Sequence, residues 1–137
     1  MEYTEYVCGF LFSNDEEHVA VIEKKKPDWQ AGFHNGIGGK IERGEDAYQA
    51  MIREFDEEAG IYTEHWNQFA TVSGRGWKVT FFRAKSNDVF HCRSLTEETV
   101  KVVRVADIVT MKVIPNLKWL IPMALDPNHD LCDAETK

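Results

Sequence analysis

The chain has 137 residues and a formal net charge of −7 at pH 7, with an ordinary apolar content of 43%. That is enough chain for one domain with a real core, and the acidic balance argues against an extended nucleic-acid-binding surface. No apolar run is long enough to span a bilayer, and the acidic opening MEYTEY lacks a signal-peptide pattern, so no membrane partner is expected.

In chain order, Tyr6 to Phe12 and Val19 to Lys25 read as strands joined by a turn at Ser13-Asn14-Asp15-Glu16. Pro27 to Gly38 reads as a loop, and Asp46 to Ala59 as a helix. Phe69 to Ser73 and Trp77 to Ala84 read as a hairpin around Gly74-Arg75-Gly76, and Val100 to Val105 as a further strand. Asn116 is placed to cap a last helix running to about Leu125, with Pro122 a kink or early stop. Residues 1–126 are thus expected to form one domain and 127–137 a loose tail. Strands mixed with two helices predict an α/β domain with a sheet between helices.

Cys8, Cys92 and Cys132 are odd in number and lack metal-ligand spacing, which predicts reduced thiols and a cytoplasmic location. The sequence carries no sign of an oligomeric state.

The chemistry concentrates between Gly39 and Ile61, in GKIERGEDAYQAMIREFDEEAGI. On a helix, with Glu54 at zero, Glu57 falls at about −60° and Glu58 at about +40° around the axis, so three carboxylates share one face. An apolar stripe of Tyr48, Met51, Ile52, Phe55 and Ala59 runs beside them, while Gln49, Arg53 and Asp56 fall on the solvent side. Acids on the border of a buried face sit where a cleft would be. Like charges at these spacings cost about 0.2–0.5 kcal/mol per pair, and a hard divalent cation relieves them. Upstream, Asn35-Gly36-Ile37-Gly38-Gly39-Lys40 permits a close backbone approach, with Ala47 and Ala50 small enough to let it pass over the helix. Gly60 suits the helix C-cap.

Gly39, Glu45 and Arg53-Glu54-Phe55-Asp56-Glu57-Glu58-Ala59-Gly60-Ile61 fill the pattern G-x5-E-x7-R-E-U-x-E-E-x-G-U, U being bulky and apolar. The stretch resembles the Nudix box. The resemblance implies an α/β/α sandwich with a mixed sheet, and a hydrolase that cuts a diphosphate linked to a nucleoside. It implies Mg²⁺ or Mn²⁺ held by Glu54, Glu57 and Glu58 with the Gly38 carbonyl, one glutamate also being a candidate base. Arg53 then orients a box glutamate, and Glu45 is a supporting acid. A late-loop acid of the family corresponds best to Glu97, with Glu98 a close rival.

The run from Gly32 to Lys40 is similar to that of oxidised-purine nucleoside triphosphate hydrolases, which implies base binding by Asn35, a pocket role for Lys25, and substrate contacts at Gly38, Gly39 and Lys40. Asn116 stands where those enzymes carry the first of two aspartates; both aspartates are missing here. Trp29 and Trp77 are candidates to stack on a base. The first-choice substrate is therefore a small-molecule nucleotide, a nucleoside triphosphate split to monophosphate and pyrophosphate, with modified purines among the candidates. ADP-ribose, a dinucleotide polyphosphate and an RNA 5′ end are the alternatives within the family. A nucleotide-sensing module that does not cut is the alternative of another class, and it would be expected to have lost box glutamates.

Overall fold

Apolar alternation in the first strand divides the core in two. The computed structural model describes residues 3–136. Strand β1 (Thr4–Phe12) sends Cys8, Phe10 and Phe12 to one face and Val7 and Leu11 to the other, as a period of two requires. On the first face these residues meet Phe69, Phe81 and the last helix, α2 (Leu117–Leu125), through Leu117, Leu120 and Ile121. On the second face lies α1 (Ala47–Ala59), which buries Ala50, Met51, Phe55 and Ala59. Met51 and Phe55, fully buried, contribute about 1.5–3 kcal/mol each. Gly9 makes room on that second face: a Cβ there would stand 2.6 Å from Met51 Cε.

With β2 (His18–Glu23), β3 (His34–Asn35), β4 (Ile37–Lys40), β5 (Asn67–Gly74), β6 (Trp77–Lys85), β7 (Thr99–Arg104) and β8 (Cys132–Glu135), the described strands form one mixed sheet in the order β3-β2-β1-β6-β5-β8, with β4 on β1 and β7 on β2. β1 runs parallel to β6 (Trp77–Lys85), and β6 antiparallel to β5 (Asn67–Gly74) across the Arg75-Gly76 turn. β2 (His18–Glu23) pairs with β7 (Thr99–Arg104) along its length but meets β1 only at Phe12 and Val19. Beyond that point β1 and β2 diverge. Two short strands fill the gap, β3 (His34–Asn35) on β2 and β4 (Ile37–Lys40) on β1. The sheet between two helices is the α/β/α sandwich expected from the sequence.

Four expectations need correction. Pro27 to Gly38 is not all loop, because β3 and half of β4 lie within it, with a 3-10 turn at Asp28–Gln30. The 127–137 tail is not loose throughout: Cys132–Glu135 forms β8, which pairs parallel with β5 between Ala70 and Ser73. Asn116 sits at the N-cap of α2 but has helical φ and ψ and makes no side-chain cap. Pro122 lies inside that helix and does not end it. The start of α1 is sharper than the sequence reading had it. Asp46 accepts from the Gln49 amide at 2.8 Å and Gln49 Oε1 accepts from the Asp46 amide at 2.9 Å, a reciprocal capping box. At the other end Gly60 takes φ +74°, the left-handed cap.

Candidate active site

The wedge between β1 and β2 places the glycine strand over α1. A Cβ on Gly39 would lie 2.6 Å from the Glu54 carboxylate, and one on Gly38 would lie 1.9 Å from the Val7 carbonyl. Only glycine lets β4 lie this close to both neighbours. Glu54 is therefore pinned beneath the strand, its side chain 12% exposed.

Arg53 organises the outer acids. Its guanidinium donates twice to Glu45, at 2.6 and 3.0 Å, and once each to Glu54 at 2.9 Å and Glu57 at 3.2 Å. It also donates to the Lys40 carbonyl at 3.1 Å. Arg53 is thus not on the solvent side where the helical wheel put it; its long stem folds back along the helix. The hydrogen bonds to Glu45, then those to Glu54, hold its proton more tightly than usual despite burial, and Glu45 in turn is held below the usual carboxylate range by Arg53.

The inner acids behave differently. Burial pushes Glu54 up, against the pull of Arg53 and with the help of Glu57 and Glu42. Burial also pushes Glu58 up, reinforced by Glu54 and Glu98. Glu58 Oε2 is buried and has no hydrogen-bond partner. Glu57 is the outward member of the three, its side chain 59% exposed.

A cleft of about 730 Å³ opens beside the glycine strand, within the range of small-molecule sites. Asn35, Gly38 and Gly39 line it, together with Lys24, Trp29 and Trp77. Asn35 Oδ1 accepts from the Gly36 amide at 2.8 Å, which fixes the carboxamide at the cleft wall. A smaller cavity of about 380 Å³ lies at the other end of the sheet. Its Arg83 guanidinium is spent on the carbonyls of Met123, Ala124 and His129, so it braces the end of α2 and is no part of the site.

Two expected residues are displaced by one position. Lys25 is exposed and gives its Nζ to the Glu97 carbonyl, whereas Lys24 lines the cleft. Lys24 continues the alternation of Ala20 and Ile22, a signal the sequence already held. Glu97 points outward and pairs with Lys26 at 2.7 Å. Glu98 faces inward, within Coulombic reach of Glu58, and takes the Lys24 ammonium at 3.0 Å. Lys40 has an exposed side chain and contributes its carbonyl to Arg53. Asn116 does not line the cleft, and its Oδ1 is buried without a partner. His34 is buried and bonded to the Lys112 carbonyl at 2.8 Å, a structural role.

The sequence profile described as NUDIX domain matches residues 3–122. The chain belongs to this family: it is a Nudix hydrolase, acting on phosphoric anhydride bonds. Among solved structures it is similar to one from a study of MutT from the fish pathogen Aliivibrio salmonicida and from Vibrio cholerae, at 22% identity and TM-score 0.78, covering 90% of this chain and 98% of that one. It is similar to the NUDIX domain of Shewanella oneidensis NrtR complexed with ADP ribose, at 22% identity and TM-score 0.77, covering 90% of this chain and 87% of that one. A MutT protein from Bacillus halodurans gives 18% identity and TM-score 0.78, covering 98% and 90%. At these identities the likenesses show the fold. No curated protein matches by sequence.

Hydrolases of this family generally need a divalent cation such as Mg²⁺ or Mn²⁺. The residues present fit one. Glu58 Oε2 is an orphaned buried acceptor, and Glu54 lies half-buried near it. Among the described residues no group of three or more His, Cys, Asp or Glu side chains is gathered closely enough to hold a metal alone. That suits Mg²⁺, which usually takes one or two carboxylates and fills its shell with water and substrate phosphate. Among the described residues no helix is long and apolar enough to cross a membrane.

Proposed function

We propose that the chain is a metal-dependent nucleotide pyrophosphohydrolase whose first-choice substrate is a nucleoside triphosphate, split to monophosphate and pyrophosphate. The observation that carries this reading is the pair Glu54 and Glu58 on one helix face, Glu54 largely buried under the glycine strand and Glu58 Oε2 buried without a partner. Such a pair is costly unless a cation neutralises it.

Glu54 and Glu58 would hold the cation together with the Gly38 carbonyl, and the more exposed Glu57 would join them from the outer edge. When bound, the cation would make a water acidic enough to attack phosphorus and would polarise the phosphoryl oxygens. Arg53 fixes the orientation of Glu54 through Glu45, so the carboxylate does not swing as charge moves. Asn35 presents its amide to a purine edge, and Trp29 and Trp77 offer faces for a base to stack on. The absence of the paired aspartates at Asn116 predicts a modest preference for modified over normal guanine.

ADP-ribose is the second reading. The cleft has two tryptophans, one face for the adenine and a second for the terminal ribose, and the NrtR domain of similar fold was solved with ADP ribose. The deciding experiment is a panel of nucleoside triphosphates, ADP-ribose and dinucleotides with Mg²⁺ or Mn²⁺, with products identified by mass. Pyrophosphate plus a monophosphate supports the first reading. Binding of a nucleotide with no product in either metal would overturn it in favour of a sensing module.

A further inference from the structure

Glu98 occupies a built anion site. Its Oε2 accepts from the backbone amides of Lys25 at 2.6 Å and Lys26 at 3.3 Å, and its Oε1 accepts from Lys24 Nζ at 3.0 Å. Two amides and an ammonium converging on two carboxylate oxygens present the donor pattern that a phosphate oxygen pair takes. Lys24 lines the same cleft as Gly38 and Gly39. The Glu98 side chain is 13% exposed, so the plug is seated, not draped over the surface.

We propose that the Lys24 ammonium and the Lys25 and Lys26 amides form a substrate phosphate subsite that Glu98 fills in the resting enzyme. The proposal rests on the hydrolase reading for its substrate but not for its test. When the Glu98 carboxylate swings away, the amides and the ammonium are left free for phosphate oxygens of the incoming diphosphate. The subsite explains why the cleft-lining lysine is Lys24: it is the one whose ammonium reaches both Glu98 and the cleft.

The test uses inorganic pyrophosphate and the whole chain in EDTA, with binding followed by calorimetry and the fold by thermal unfolding. Wild type should bind weakly because the plug is in place. Glu98→Ala should bind about tenfold more tightly, one charge-assisted set of contacts being released. Glu97→Ala removes the same charge one residue away and should change binding by less than about twofold. Adding Lys24→Met to Glu98→Ala should return binding to the wild-type level, and Lys24→Arg should keep most of the gain. Equal gains in Glu98→Ala and Glu97→Ala would reduce the effect to net charge and overturn the subsite. A gain that survives Lys24→Met would overturn it as well. Cleavage of the nucleotide panel by wild type is scored separately, so an inactive enzyme with an intact subsite is told apart from an active one without it.

Discussion

Alanine at Gly39 and at Gly38 should fail in opposite ways. A Cβ at Gly39 would stand 2.6 Å from Glu54 Cδ and Oε2 and 2.7 Å from Oε1. Ordinary contact lies at about 3.5 Å, so the carboxylate must retreat by roughly 0.9 Å. That movement breaks its 2.9 Å bond to Arg53 and shifts it from the cation position. A misplacement of about 1 Å at a reacting group costs about 100-fold in turnover. The group displaced is the end of a flexible side chain, so stability should change by no more than about 1 kcal/mol. At Gly38 the obstacle is the Val7 carbonyl, 1.9 Å from the added carbon, inside the β1–β4 pairing. Two paired strands would have to separate, at a cost of about 3 kcal/mol, or roughly 10 °C in melting temperature for a chain of this size. The assays are thermal unfolding in EDTA and kcat with Mg²⁺ on the best substrate of the panel. Near wild-type kcat in Gly39→Ala, or a melting temperature as low as that of Gly38→Ala, would refute the placement of Glu54 under the strand.

Four further outcomes are expected. Glu58→Gln should lower kcat by at least about 100-fold and Glu57→Gln by less, since Glu58 is half-buried and Glu57 exposed; equal losses in Mn²⁺ titrations would show that burial does not rank the ligands. Glu98→Gln should raise the Mn²⁺ concentration for half-maximal rate several-fold and Glu97→Gln hardly at all, and the reverse order would put the inward acid at Glu97. Because burial raises the Glu58 pKa in the folded state, its contribution is fully present below the unfolded value and is lost as pH rises through the folded one. In EDTA, the melting temperature of Glu58→Gln relative to wild type should therefore climb as pH rises above about 4, and a flat difference would count against the burial argument. Asn35→Ala should cost about 1–3 kcal/mol in kcat/KM for the preferred purine nucleotide, and unchanged values would move the reading toward ADP-ribose.

Much of the site was legible because its signals are local. The α1 carboxylates follow from helical periodicity alone, and Gly60 from the left-handed cap. What escaped depends on contacts distant in sequence. β8 is four residues of CDAE with no apolar alternation, and it exists because the edge of β5 offers it partners. β3 and β4 exist because β1 and β2 diverge, which neither strand's composition announces. The one-residue displacements at Lys24 and Glu98 are parity errors at strand ends, where a shift of one turns a side chain to the other face. Arg53 was misplaced for a different reason: the wheel gives the direction of Cβ, and a long side chain can return to the face beside it.

The distribution of charge also says which parts of the site are meant to move. Arg53 is satisfied on several sides by Glu45, Glu54, Glu57 and the Lys40 carbonyl, within one helix and the loop that leads into it. It has nothing to release, and it keeps the outer acids in place whatever enters the cleft. Lys24 and Glu98 join two segments far apart in sequence, at the end of β2 and ahead of β7, and Glu98 is held by the Lys24 ammonium and the Lys25 and Lys26 amides. Within Coulombic reach lies Glu58, among the described residues the one acid with an unsatisfied buried oxygen. A divalent cation therefore meets a rigid frame on the Arg53 side and an exchangeable pair on the Lys24 side. An exchangeable pair is what a substrate bringing both phosphate and metal requires, since each arriving charge replaces one already present and the cleft never carries an uncompensated one.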